Sequence, residues 1–407
     1  MLTEPIEPRY PRKFELAGLG HPVAVLESDD WGSCETIAKA SQIPFYKSLM
    51  EKYGNPEPYL CRMEGADDIR RIAGLLEKHH GADGLSPVLT AFTCVANPDY
   101  DAIEASGFTR YADIPISRGL PPTWEAPGLV EAMREAERRM VWQAEYHTRL
   151  HHTSTKLWLK YLRENRPECA LVRELFKIKS YYITRHLPEF HGFDNYREIF
   201  NYIATGIGYF EEIFGRRPTV AITSDAYDEI EFIWSCLGIR TIALKNNRVN
   251  SGMAYAGYKY WNNQDYYAKP GDYNPDLDVI YLTRNVFAEI GHKAEDILHA
   301  AEERIRRFHE PITISTHRIV YCNLDEGLRE QHFQRLEDVL SGLDAMGVVY
   351  LSSSELGDLY HQGWSLRPCG EKTVFHRCAE DAVNVPEQFA ALPLGTHVIR
   401  ENPQARM

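Results

Sequence analysis

The chain has no long apolar run, no paired-cysteine spacing and no block of basic residues, and each absence excludes a class of protein. A membrane-spanning helix needs roughly 20 consecutive apolar residues, and no window of this sequence approaches that. The eight cysteines, at 34, 61, 94, 169, 236, 322, 369 and 378, never form a CxxC pair, so reduced thiols are expected rather than a disulfide framework or a cysteine zinc site. The formal net charge is −13 and the lysines and arginines are scattered. Nucleic-acid binding and anionic membrane surfaces are therefore disfavoured, because both need a basic face. No GxGxxG or GxxxxGK[ST] follows an apolar run, so a nucleotide-binding fold lacks its signature. The first twenty residues carry three prolines and no apolar stretch, unlike a secretory signal, and a cytoplasmic location is expected.

What is present is an alternation of short β-branched runs and longer amphipathic stretches. Strands are predicted over 22–27, 87–94, 141–146, 219–223, 241–245, 278–283, 311–316 and 347–351, several as continuous apolar runs buried on both faces. Helical spacing recurs over 67–79, 127–139, 228–237, 294–308 and 330–345. Such alternation predicts an α/β fold with a parallel sheet, and a barrel and an open doubly wound sheet both satisfy it. Residues 111–126 read as a long loop, and 246–273 as another, dense in Tyr, Asn, Gly and Trp. After residue 364 periodicity is lost. The organisation expected is an N-terminal extension (1–21), a main domain (22–364) and an irregular tail (365–407).

The chemistry is read from where polar residues fall relative to the strands. Asp29 and Asp30 follow one strand, His147 and His151 another, Ser224 and Asp225 a third, and His317 a fourth. The C-terminal strand ends are where parallel α/β folds build active sites. Each feature also has a plain structural explanation. Asp pairs cap helices and line turns, a histidine at a strand end is often simply packed, and an arginine before a strand, such as Arg217, usually lies on the surface. Two imidazoles four residues apart on a helical turn, with one carboxylate, would form a metal site with open positions for water and substrate. His152, adjacent to the second imidazole, would face elsewhere.

In this order the motifs resemble those of the polysaccharide deacetylase family of carbohydrate esterases. Glu27-Ser28-Asp29-Asp30 is similar to its Thr-Phe-Asp-Asp motif, and His147-Thr148-Arg149-Leu150-His151 matches His-[Ser/Thr]-x-x-His in full. Arg217-Pro218 resembles the start of its Arg-Pro-Pro-aromatic motif, and Thr316-His317 its late Leu-His motif. The runs ESDDWGS, LTRNVF and TISTHRIVY resemble a bacterial subgroup that accompanies surface-polysaccharide synthesis, and the likeness spans roughly residues 22–356. The resemblance implies a distorted (β/α) barrel of about seven strands with long loop insertions. It also implies a divalent metal (zinc first, with cobalt, nickel or manganese as alternatives) held by Asp30, His147 and His151. Asp29 would then be the general base, Arg217 its orienting partner and His317 the general acid. The implied reaction removes an N-acyl group, acetyl first, from an amino sugar or polysaccharide precursor; the 246–273 aromatics would offer a sugar platform.

Two departures stand out. Glu-Ser replaces Thr-Phe before the aspartates, and Thr219 and Val220 replace the second proline and the aromatic residue of the stretch that in the family binds acetyl and supplies an oxyanion donor. Two further readings therefore stay open: a catalytically silent barrel that binds carbohydrate or a partner, and a metal-dependent esterase or amidase acting on a non-sugar substrate.

Overall fold

The computed structural model describes residues 11–35, 37–53, 60–151, 153–181, 189–222, 228–244, 248–249, 266–369 and 372–400. All eight expected strands are present: β1 (Val23–Trp31), β2 (Leu89–Cys94), β3 (Trp142–Thr148), β4 (Val220–Ala221), β5 (Thr241–Leu244), β6 (Val279–Thr283), β8 (Ile312–His317) and β9 (Val349–Leu351), with a short β7 (Val286–Phe287) between β6 and β8. The ladder runs β6-β5-β4-β3-β2-β1-β8-β7, with β9 beside the start of β1, and every one of these pairings is parallel. A short strand, Asp272–Asn274, adds antiparallel to β6 at one end.

This sheet is curled into a distorted barrel, not open and flat. β6 and β1 stand five positions apart along the ladder, roughly 24 Å in a flat sheet at about 4.8 Å per strand. Yet Arg284, the residue after β6, donates to Asp29 of β1 at 2.5 and 2.7 Å. The two ends of the sheet are joined by the chain itself. β6 leaves its partner β5, passes through Arg284 and Asn285, and becomes β7 alongside β8. Asn285 fixes the crossover, its backbone N–H donating to Thr313 O at 3.2 Å and its side-chain carbonyl accepting from Thr313 N at 2.9 Å.

Side-chain alternation sorts the layers. Val279 and Tyr281 of β6 face outward into a cluster with helices α3 (Tyr196–Phe214) and α4 (Asp228–Cys236). Ile280 and Leu282 face inward and join Val25, Leu356, Leu359 and Tyr360. The inner partners belong to α7 (Ser353–Gln362), a helix that fills the lower part of the barrel interior with its N-terminus towards the mouth. It lies so close to β5 that a Cβ on Gly357 would sit 2.0 Å from Thr241 Oγ1. The opposite outer face packs on α1 (Ala66–Leu76), α2 (Leu129–Arg138), α5 (Ala294–Glu303) and α6 (Glu326–Ala345).

The described part of the tail expected to be irregular (365–407) instead forms, with Trp364, a three-stranded antiparallel sheet: β10 (Trp364–Cys369), β11 (Lys372–Arg377) and β12 (Gly395–Arg400). Its signal is hidden because β11 buries both faces, and its second partner lies beyond a long irregular stretch containing Phe389, which stacks on Phe375 at 5.0 Å. Arg367, paired with Glu355 at 2.7 Å, ties this sheet to α7. The described part of the N-terminal extension is likewise packed, with Phe14 and Leu19 in the inner cluster. Among the described residues no helix is long and apolar enough to cross a membrane. The cysteines at 34, 61, 94, 169, 236, 322 and 378 are free thiols.

Candidate metal centre and its proton-transfer flank

β1 carries two adjacent carboxylates, which in a regular strand would point to opposite faces. A register shift against β2 between Ser28 and Trp31 breaks that rule locally, and Asp30 takes a left-handed backbone, φ +75°. For a residue other than glycine this conformation is strained and held by its surroundings. The result is that Asp29 and Asp30 both serve the barrel mouth, towards different partners.

Asp30 Oδ1 lies 2.9 Å from His151 Nε2 and 3.3 Å from His147 Nε2. The ligand atoms of the three residues all fall within 4.8 Å of one another. The histidines do not share a helical turn, as their spacing suggests. His147 is in the last turn of pleat of β3, and His151 sits in the bend that follows, with ring centroids 4.9 Å apart. The far nitrogen of each ring is also engaged: His147 Nδ1 meets Ile222 O at 3.2 Å, and His151 Nδ1 is bonded to Glu35 Oε1.

The residues fit a divalent cation. One carboxylate and two imidazoles are the donor set of hydrolytic zinc sites. Asp30 Oδ1 is buried beside two ring nitrogens yet has an aligned hydrogen bond to neither, as expected of donors that converge on a common point. Burial would raise the Asp30 carboxyl, but the charge of His151 and the nearness of both ring nitrogens take it well below the usual range. His151, between Asp30 and Glu35, is raised in spite of its burial, so a cation entering here has to displace a proton.

The other flank is built around Asp29. Arg284 holds it with a two-pronged bond, Nη1 to Oδ2 at 2.7 Å and Nη2 to Oδ1 at 2.5 Å, while Arg284 Nε donates to Glu27 at 2.6 Å. Glu27 also accepts from Ser353 Oγ, at the N-terminus of α7, at 2.7 Å. Burial pushes the Asp29 carboxyl up, and the Arg284 guanidinium outweighs it, holding it down to about 2. His317, at the end of β8, places Nε2 3.6 Å from Asp29 Oδ2 and Nδ1 2.7 Å from Glu289 Oε1. Burial lowers the imidazole, but the Glu289 bond and the aspartate charges win and raise it to about 9.

The structure thus brings together Asp29, Asp30, His147, His151 and His317, and it removes Arg217 from the set. Arg217 precedes β4, at the end of the barrel opposite the mouth, with its side chain 62% exposed and paired to Glu211 at 3.2 Å. Arg284 occupies the place next to Asp29 that the resemblance assigns to Arg217. The rule that found the other residues, a polar group just past a strand, would have found Arg284 had it been applied to the run 278–283. Glu289 and Glu35 lie outside strands, and no sequence signal marks them. Thr219 and Val220 offer no oxyanion donor, because both of their backbone N–H groups are spent on the buried Glu145, at 2.9 and 3.0 Å. Ser224, Asp225, His152 and most of the 246–273 loop lie outside the described residues.

No family model and no curated protein matches the chain. Among solved structures it is similar to a probable polysaccharide deacetylase from Pseudomonas aeruginosa PAO1, at 11% identity over 86% of this chain and 98% of that one, TM-score 0.43. It is also similar to a mutant of a CE4-family pseudoenzyme with restored enzymatic activity (10% identity, 83% and 68% covered, TM-score 0.36). A third is a 4-α-glucanotransferase from Thermococcus litoralis (7% identity, 83% and 40% covered, TM-score 0.40). Further structures it is similar to are described as a putative polysaccharide deacetylase from Mycobacterium smegmatis and a polysaccharide deacetylase from Bacillus cereus.

Proposed function

We propose that the chain is a metal-dependent hydrolase that removes an N-acyl group, acetyl first, from an amino sugar or a polysaccharide precursor. The observation that carries this reading is the meeting, at one barrel mouth, of an Asp/His/His donor set with an anchored carboxylate and an anchored imidazole. Asp30, His147 and His151 would hold the cation. It would supply Lewis acidity towards a water and an acyl oxygen.

The chain's own groups divide the proton work. Asp29, at about 2, is ionised throughout the working range and is weakly basic, so its part is to orient the attacking water and receive its proton once that water is made acidic. Glu289 accepts at His317 Nδ1 and fixes the ring, leaving Nε2–H to face the site. At about 9 that nitrogen is protonated near neutrality, which suits it to donate to a departing amine. Without a proton an amine nitrogen leaves poorly, and a placed general acid contributes on the order of 10²–10⁴ in rate.

A second reading has its own support. The run Arg217–Val220, which resembles the family's acetyl-binding stretch, lies away from the mouth with its Thr219 and Val220 N–H groups bound to Glu145, so no described counterpart of that stretch supports N-acetyl over another acyl group or bond. A panel of N-acetylated amino sugars, nucleotide-linked, lipid-linked and free, together with simple esters and non-sugar amides, separates the two by the acid released. Acetate from an amino sugar supports the first, hydrolysis of other members only supports the second, and zinc-loaded protein inert on the whole panel removes both.

A further inference from the structure

The two imidazoles of the candidate centre are backed differently. Behind His147 stands a neutral carbonyl, Ile222 O at 3.2 Å from Nδ1. Behind His151 stands a carboxylate, Glu35 Oε1, bonded to Nδ1 and only 3% exposed. Glu35 belongs to the segment that leaves β1 just after Asp30, and its place is fixed from beneath. Arg318, the neighbour of His317, is buried and donates to Ser33 O at 2.5 Å and Glu64 Oε2 at 3.1 Å, with its second nitrogen 3.9 Å from Glu35 Oε2. Glu64 in turn accepts from Gly32 N at 2.6 Å. The loop that carries Asp30 towards the histidines and Glu35 behind them is thus clamped at Gly32, Ser33 and Glu35.

We propose that Glu35 is a positioning residue for the metal centre: it holds His151 in the tautomer that presents the Nε2 lone pair beside Asp30, and its negative charge strengthens that nitrogen as a donor. A carboxylate behind a ligating imidazole does both, and its loss typically costs 10–100-fold in metal affinity. The inference rests on the reading of Asp30, His147 and His151 as metal ligands, and the experiment keeps the two apart.

Zn²⁺ affinity is measured by competition with a chromogenic chelator for the full chain and for Glu35→Gln, Glu35→Ala and Asp30→Ala, with circular dichroism confirming the fold. The Co²⁺-substituted proteins supply visible spectra. Glu35→Gln keeps shape and an acceptor but not the charge, and is expected to weaken Zn²⁺ about 10-fold and to shift the Co²⁺ bands; Glu35→Ala is expected to weaken it about 100-fold. Asp30→Ala, which removes a ligand, should lose more than either. If both Glu35 variants bind Zn²⁺ as the wild type does while Asp30→Ala fails, Glu35 plays no part in the centre and the inference is overturned alone. If Asp30→Ala also binds normally, the ligand set is wrong and both fall.

Discussion

On the metal flank of the barrel mouth, His147 and His151 are supplied by one strand end and the bend after it, and Asp30 reaches them from β1. On the proton-transfer flank, Asp29 is anchored by a residue 255 positions away in the chain. The first flank is built by two strands with only β2 between them, the second by the curl of the sheet, which alone carries Arg284 across to β1. Two short motifs mark the first. The second exists only once the sheet has curled.

The largest effect is expected on the first flank. Asp30→Ala and His151→Ala should each leave zinc at background after dialysis and lower hydrolysis by three or more powers of ten, since a Lewis acid supplies several kcal/mol of transition-state stabilisation. Metal analysis beside an acetate assay checks this. Variants that retain stoichiometric zinc would show that the three side chains meet for some other reason.

Arg284→Met tests the second flank and reads out twice. It strands Glu27 and Asp29, both buried, without their cation. Removing one partner of a buried ion pair costs about 3–5 kcal/mol, so denaturant midpoints should fall sharply. Glu27→Gln in the same background removes one stranded charge, keeps Asp29, and should restore part of that stability without restoring activity. Recovery of activity along with stability in that double variant would mean that Arg284 is only a structural prop.

The same contrast explains what could be read in advance. The strands are legible because buried parallel strands are near-continuous apolar runs, and the candidate metal ligands stand out because they fall at or just past the ends of two such runs. The match that points to Arg217 is local, Arg-Pro before a strand, and says nothing about which end of the barrel that residue occupies. In the sequence Glu27 reads only as a departure from the Thr-Phe of the family motif. Its partner Arg284, which makes sense of it, lies beyond several strands, and only the curl of the sheet brings the two together. The C-terminal sheet was missed for a similar reason, its pairing of β11 with β12 being non-local.

A smaller effect tests the acid. The His317 proton is bound below about 9 and lost as pH rises through it, so the rate should fall on the alkaline side with a midpoint near 9. Folding stability carries the same sign: the contribution is complete below the ordinary histidine value and disappears as pH passes the raised one. Glu289→Gln removes the charge that helps to raise it, and should lower the alkaline midpoint by roughly one unit towards the ordinary value. An unmoved limb would assign the acid to another group.

The smallest expected change is the most discriminating between the two arginines. Arg217 is mostly exposed, and its one described partner is Glu211 at 3.2 Å on the surface. Exposed pairs of this kind contribute about 0–1 kcal/mol, and no described residue connects Arg217 to the mouth. Arg217→Ala should therefore leave the denaturant midpoint, the zinc content and the rate of hydrolysis within about twofold of wild type. A hundredfold loss of rate with normal stability would return the base-orienting role to Arg217. That result would conflict with the parallel pairing of β4 with β3 and β5, which sets Arg217 at the end of the barrel away from the mouth.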